Sequence, residues 1–405
     1  MKVTLILGRG IEGCGVTKFS IEQMRWMKEH GYDYRVFASK DKKWTRTTSH
    51  ECQEIEELKF ADKESIDTIV AHANTCDVVV FNSLPSIKHP EGAIAGFLDL
   101  LDRIDTKVAL IQHDHSMLSI NRNAGLKEAV KRADIIFAHS MTNDFVQYAK
   151  DVSGSDSFGL FETAPVKNFS PFQPGINFEA IKDQYWKPLD ETNVNEHKWI
   201  GRTTTWKGFK QMFQFHRECL STSPQIITTF EGIEKSPAFM IFKTCGEFNE
   251  CIKYKIEDYT DMNGGELPYV FGPYNNEDLM HRLSRSGFGY QLSILKPHFI
   301  ERSIEYTHAE VVCAGAIPVF RKKYGDQCTH RVYGKALTAC ENSGTIWLDD
   351  DNMKPAWDLM VKLSNDPELR DKWRKDAYDF YKLHQDSEYT FGDIFNKITE
   401  TCKTT

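Results

Sequence analysis

The sequence predicts an α/β protein built from two doubly wound parallel domains, and three observations predict it. Short apolar runs of strand length alternate with helical stretches along most of the chain. The chain has 405 residues, beyond the size at which a single core keeps growing. A stretch carrying two prolines and a glycine, Asn168 to Asn177 (NFSPFQPGIN), interrupts the alternation near the middle. A first domain over residues 1–172 and a second over 173–385 are expected, followed by a closing segment, 386–405.

The first strand is expected at Val3 to Leu7, followed by a helix from Lys18 to His30 and a strand near Tyr34 to Phe37. Then come a helix over Glu64 to Ala73, strands at Val78 to Phe81 and Val108 to Ile111, a helix over Leu126 to Lys131 and a strand at Ile135 to Ala138. Runs without polar interruption suit strands covered on both faces, as in parallel sheets, whose functional groups gather at the strand C-termini. A second series follows at Trp199–Ile200, Ile226–Phe230, Tyr269–Phe271, Phe288–Leu292 and Ile317–Phe320. Gly315 ends the helix before the last of these. Pro367 to His384 reads as a helix, and a further stretch ends near Cys402. That last stretch either crosses back onto the first domain or closes the second. No internal repeat is visible, so two similar domains would share physics rather than sequence.

Hydrophobic residues make up 40% and charged residues 27% of the chain, without a low-complexity tract or an apolar run long enough to span a membrane. The apolar run after Met1 is broken at Gly8-Arg9-Gly10, too early for a signal peptide, so an intracellular protein is expected. Ten cysteines are scattered without a CxxC pair, which reads as reduced, mostly buried thiols. A formal charge of −8 argues against coating nucleic acid by bulk electrostatics and leaves room for a local basic face.

The stretch Trp199 to Phe209, WIGRTTTWKGF, places Arg202 and Lys207 five residues apart beyond a short apolar run. Arg offers a planar fork and Lys a mobile point charge, a pair suited to neutralising a pyrophosphate as it departs. Gly8 to Gly13 formally matches the dinucleotide pattern GxGxxG, which keeps an NAD-dependent oxidoreductase as an alternative. The strand near Tyr34 to Phe37 runs into Ala38-Ser39-Lys40, without the ribose-binding acid that such a site needs. Nor is this a phosphate-binding Walker loop, because Val16 stands where Lys is required. Gly13-Cys14-Gly15 remains as a flexible loop opening a helix, either a phosphate or sugar contact or a steric turn.

Gln112 to Ser116, QHDHS, puts titratable groups where an apolar strand ends. His113 and His115 lack a completing ligand set, so no metal site is assigned; His113 and Asp114 are candidates for the sugar or acceptor hydroxyl, and capping is the structural alternative. Glu310 lies five residues before Gly315. As an acceptor-only group it can take both ribose hydroxyls, although an isolated helix Glu is more often a solvated charge. Ser286 to Ser293, SGFGYQLS, adds a glycine-rich strand whose end can approach the same ligand, with Tyr290 equally readable as core.

The segments GRGIEGCGVTKFS, TRTTSH at Thr45 to His50, QHDHS, WIGRTTTWKGF, SGFGYQLS and EYTHAE at Glu305 to Glu310 together span most of the chain. In this set the chain resembles the bacteriophage DNA alpha-glucosyltransferase family, which glycosylates 5-hydroxymethylcytosine in phage DNA. The resemblance implies a GT-B fold, two Rossmann-like domains facing a central cleft, with the nucleotide donor on the C-terminal domain and the DNA on the N-terminal one. Arg202 and Lys207 would hold the diphosphate and Glu310 the ribose. Gly13, Gly15, Gln291, Ser303, Tyr306 and Thr307 would complete the donor site, and His113 and Asp114 the reacting one. Lys40 to Arg46 carries four cations beside Trp44, so Lys42, Lys43, Arg46 and Arg122 are expected to face DNA, unless the lysines are merely solvated. The wider retaining group often has a second Glu eight residues before the ribose Glu; Arg302 occupies that position here.

The resemblance further implies transfer of glucose from UDP-glucose, with retention, to a flipped-out base of double-stranded DNA in the cytoplasm of an infected bacterium, masking the DNA from restriction. No tightly bound cofactor is expected, and the sequence leaves any divalent metal requirement open. Another UDP-sugar such as UDP-arabinose, or a non-catalytic DNA-binding protein, are the remaining alternatives.

Overall fold

The computed structural model describes residues 1–11, 15–41, 54–85, 89–113, 125–138, 140–142, 169–171, 174–201, 207–223, 225–231, 269–271, 276–293, 299–302 and 304–403. Two compact units divide the chain: Met1–Ile176 with His298–Ser303 and Ser387–Thr405, and Asn177–Pro297 with Ile304–Asp386.

In the first unit the elements run β1 (Lys2–Leu7), α1 (Gly15–Glu29), β2 (Asp33–Ser39), β3 (Ile55–Leu58), α2 (Lys63–Ala73), β4 (Val78–Ser83), α3 (Glu91–Arg103) and β5 (Lys107–Gln112). They continue with α4 (Leu126–Arg132), β6 (Ile135–Ala138), β7 (Ser140–Thr142) and β8 (Phe169–Pro171). A seven-stranded sheet, ordered β3-β2-β1-β4-β5-β6-β8, is parallel throughout. Its central strands are apolar on both faces because helices cover both; Leu5, Val80, Ala109 and Leu110 are all fully buried.

The second unit begins with α5 (Phe178–Tyr185), β9 (Asn193–Ile200), α6 (Phe209–Glu218), β10 (Ile227–Glu231), β11 (Tyr269–Phe271), α7 (Asn276–Ser284) and β12 (Ser286–Gln291). The chain then makes β13 (Phe299–Arg302), which pairs antiparallel with β7 in the first unit. It returns for α8 (Tyr306–Cys313), β14 (Ile317–Arg321), α9 (Lys322–Gly325), β15 (Ile346–Leu348), α10 (Lys354–Asn365) and α11 (Pro367–Gln385). A six-stranded sheet has the order β11-β10-β9-β12-β14-β15, and its pairs are parallel. Counted within each unit, both sheets share the arrangement 3-2-1-4-5-6, the doubly wound order in which the winding reverses between the first and fourth strands.

A last helix, α12 (Ser387–Lys403), belongs to the first unit. The Ser387 N–H donates to Ile176 O at 2.9 Å. Trp26 Nε1 donates to Glu388 Oε2 at 3.0 Å, and the Trp26 ring stacks on Phe395 with centroids 5.4 Å apart. Phe19, near the start of α1, packs edge-on against Phe391 at 5.1 Å. The last helix therefore braces the helix that follows the Gly-rich loop.

The core of the second unit contains ionisable groups held neutral. Trp199, Phe288, Tyr290, Ile317 and Val319 are fully buried, and His197 sits among them with Nδ1 hydrogen-bonded to the Tyr290 hydroxyl. Burial, with His216 nearby, pushes His197 down to about 3 from an ordinary 6.5, while burial raises Tyr290 well above its usual value. His216, His330 and His384 are lowered by burial too. The unfolded chain then takes up protons that the fold refuses, so stability is complete above pH 6.5 and falls as the pH drops toward 3. Urea melts should show His197 alone costing about 2 kcal/mol between pH 8 and pH 5, and His197→Gln should flatten that part of the profile. An unchanged slope in the variant would assign the acid lability to the other histidines.

Candidate functional site

In a doubly wound sheet the winding reversal leaves a crevice outside the strand C-termini, where helix N-termini also point. In the second unit this is the junction of β9 and β12. Lys207 lies there, just before Gly208, the residue that caps the start of α6. Gly208 has φ +72°, and a Cβ on it would stand 1.8 Å from the Leu292 carbonyl oxygen. A side chain would prevent this close approach of α6 to the strand end, so glycine is required. Gln291 ends β12 with 1% exposure.

One carboxylate gathers these groups. Glu305 caps the N-terminus of α8, its side chain accepting from the His308 N–H, while the Glu305 N–H donates back to His308 Nδ1 at 3.1 Å. Glu305 Oε2 also pairs with Lys207 Nζ and accepts from Gln291 Nε2 at 2.8 Å and from Ser293 Oγ at 3.3 Å. Gln291 Nε2 lies 3.0 Å from Thr307 Oγ1, and its Oε1 accepts the Ser293 N–H at 2.7 Å. The N-termini of α6 and α8 are thereby tied by an ion pair, with a buried amide between strand and helix. Charge-assisted bonds of this kind are about twice as strong as neutral ones.

Among the contacts that hold α8 in place are two near its C-terminus. Val311 packs onto β12 at Gly289, where a Cβ would come within 2.6 Å of the Val311 side chain. Just past the same end of the helix, Arg374 Nε donates to the carbonyl of Gly315 at 2.5 Å and Nη2 to that of Lys187 at 2.8 Å, with the guanidinium over the Trp186 ring. Burial lowers Arg374 to about 10, yet it remains a cation at the carbonyl end of the helix, where the dipole favours positive charge.

Lys207, Gln291 and Thr307 are thus brought together, with Tyr306 and Thr307 in the first turn of α8. Glu310 lies one turn further on and is 4% exposed, which corrects its reading as a solvated helix charge. Tyr290 is core. Sequence patterns assign no role to Glu305 or Ser293, although both lie within the motif segments EYTHAE and SGFGYQLS. The available signal was the position of Glu305 immediately before a helix, where a side-chain acceptor serves as a cap.

The first unit has its own winding reversal between β1 and β4. There the Gly-rich loop is tied to the end of β4, Gly8 N–H donating to Ser83 O at 2.9 Å and Arg9 N–H to Ser83 Oγ at 3.2 Å. Gly15 is the first residue of α1, whose Ser20 and Gln23 accept from Asn82 Nδ2 at 2.9 and 2.7 Å. His113, just past β5, is half-buried with its ring 4.9 Å edge-on from Phe19. Asp41, beyond the end of β2, is engaged by the N–H groups of Phe60 and Ala61 at 2.6 and 3.2 Å. It serves the turn after β3, not a ribose. Gly13, Asp114, Arg202, Ser303, Lys42, Lys43, Arg46 and Arg122 lie outside the described residues.

Comparison with known proteins gives a consistent picture. The family described as DNA alpha-glucosyltransferase matches residues 14–368. The DNA alpha-glucosyltransferase of Enterobacteria phage T4 is 40% identical over 406 residues, covering 99% of this chain and all of that one. A solved alpha-glucosyltransferase in complex with UDP and a 13-mer DNA containing a HMU base is 37% identical, with a TM-score of 0.83 over 98% of this chain and 99% of that one. Another, in complex with UDP-glucose and DNA containing an abasic site, is 38% identical with a TM-score of 0.82 and the same coverage. HepE of Anabaena, solved with UDP and glucose, is 12% identical with a TM-score of 0.63 over 99% of this chain and all of that one, a likeness of fold alone. Two parallel α/β sheets of this kind make the GT-B class expected from the sequence.

The contact at Gly289 can be tested directly. Gly289→Val should displace α8 and cost about 1–3 kcal/mol, as overpacking of a tight contact does. Thermal unfolding followed by circular dichroism reads the loss; an unchanged midpoint would mean that α8 does not rest on β12 there.

Proposed function

We propose a reaction for a chain that belongs to the DNA alpha-glucosyltransferase family: transfer of glucose from UDP-glucose to the hydroxymethyl group of 5-hydroxymethylcytosine in double-stranded DNA, forming an alpha linkage. The observation that carries it is the likeness over the whole chain to the phage T4 enzyme. The gathering of Lys207, Gln291 and Thr307 at the winding reversal supports the donor side of the reading.

In this reading the second unit takes the nucleotide. Arg202 and Lys207 bind the diphosphate and stabilise the charge that grows on it as the bond to the sugar C1 breaks, the kind of contribution that dominates such sites. Glu310 accepts from the ribose hydroxyls. Gln291, Ser303, Tyr306 and Thr307 complete the donor site of this unit, and Gly13 and Gly15 also take part in donor binding. The acceptor hydroxyl attacks from the face that the leaving group vacates, through an oxocarbenium-like transition state, so configuration is retained. Its proton passes to the departing phosphate oxygen. His113 and Asp114 orient the sugar and the acceptor.

The first unit takes the DNA in the same reading. Lys42, Lys43, Arg46 and Arg122 contact backbone phosphates, so binding weakens steeply with salt despite the acidic overall charge. Bringing a base to the reacting sugar calls for flipping it out of the stack. The protein works in the cytoplasm of the infected bacterium, and glucosylation shields the DNA from restriction. UDP-glucose serves as co-substrate in this proposal, which includes no tightly bound cofactor. The alternative to UDP-glucose is another UDP-sugar such as UDP-arabinose, since a pocket separates such sugars by few contacts.

Mass spectrometry of nucleosides from hydroxymethylcytosine duplexes, incubated with the protein and competing UDP-sugars, tests the reaction. A hexose gain with UDP-glucose is expected. A pentose gain would change the donor, and no gain from folded, DNA-binding protein would favour a non-catalytic binder. Arg202→Ala should lower turnover about a hundredfold or more while DNA affinity stays within about threefold. Intact transfer in that variant would remove Arg202 from the leaving-group role.

A further inference from the structure

We propose that Glu305 is a positioning residue that holds Lys207 as a resident anion and yields it to the donor diphosphate during each turnover; this rests on reading the site as a nucleotide-diphosphate site. Among the described residues, four donors converge on this carboxylate: Lys207 Nζ, Gln291 Nε2, Ser293 Oγ and the His308 N–H at the start of α8. Cations and amide groups beside a helix N-terminus are what a phosphate also requires, and here the protein's own carboxylate draws them together.

The four donors differ in how firmly they are fixed. Gln291 is 1% exposed and locked by the Ser293 N–H at 2.7 Å, and the His308 N–H belongs to the helix. Lys207 is a point charge on a flexible stem, with its side chain 24% exposed against 20% for Glu305. When a diphosphate arrives, Lys207 is the donor able to turn to it. Glu305 stays with Gln291, Ser293 and the helix cap. A fixed carboxylate then stands beside the diphosphate, opposing it electrostatically and speeding release of the nucleotide product. The pair thus keeps Lys207 ordered without letting the product bind too tightly.

Calorimetric titration of UDP into the wild-type chain and Glu305→Gln tests the exchange. Gln keeps the shape and a side-chain acceptor but removes the charge. UDP should bind about fivefold to tenfold more tightly to the variant, the scale of a partly exposed ion pair, with KM and kcat both lowered and product inhibition by UDP increased. Equal or weaker UDP binding by a variant that melts normally would overturn the exchange alone. Folded wild-type protein that does not bind UDP would overturn the donor-site reading and the exchange with it. Should the variant not fold, a crystal structure of the wild-type chain with UDP decides: Lys207 Nζ on a phosphate oxygen, with Gln291 Nε2 still on Glu305, is expected. Lys207 remaining on Glu305 without a phosphate contact would overturn the proposal.

Discussion

The approach of α8 to β12 sets the geometry of the second unit. With no side chain at Gly289, Val311 comes down onto the strand, and the first turn of the helix reaches the level of Gln291. Polar contacts among the described residues of the site follow from that approach: Thr307 meets Gln291, and Glu305, as the cap, reaches Gln291, Ser293 and Lys207. Arg374 supports the same helix from its far end by taking the Gly315 carbonyl. A helix braced through its last turn and just beyond it can hold its first turn steady against a charged ligand.

The electrostatic arrangement differs between core and site. Inside the sheet, burial keeps His197 neutral and Tyr290 protonated, so their hydrogen bond carries no net charge into the core. At the strand ends the charges survive as a pair, Lys207 with Glu305, each still partly exposed. Deeper burial would have raised the desolvation cost of the pair, and full exposure would have screened it. The intermediate environment keeps an ion pair strong enough to orient Lys207 and weak enough to be exchanged.

Comparison with the broader GT-B group bears on one position. The residue eight before Glu310, often Glu in the wider retaining group, is Arg302 here, and it falls on β13. That strand belongs to the first unit, paired with β7, so the chain leaves the second sheet after β12 and returns at Ile304 to begin α8. The excursion places Glu305 one residue after the return, at the cap of α8.

Much of the fold was legible because it rests on local regularities. Apolar runs such as Val78–Phe81 and Val108–Ile111 can satisfy their side chains in a covered parallel sheet, and they form β4 and β5. Weaker patterns escape such reading: β3 has the half-polar sequence IEEL at an edge, where one face meets water. The site was legible in part, as clusters of residue types with a chemical use, and Lys207, Gln291 and Thr307 do meet. The residue that joins them could not be identified from sequence, because Glu305 lies 98 residues from Lys207 and 14 from Gln291. The burial of Glu310 was hidden for the same reason. By itself the sequence determined the fold class and the family, since periodicity and motifs are written along the chain. The tertiary structure alone decided which charges face each other, because strand order and the close approach at Gly289 bring distant segments within reach of a hydrogen bond.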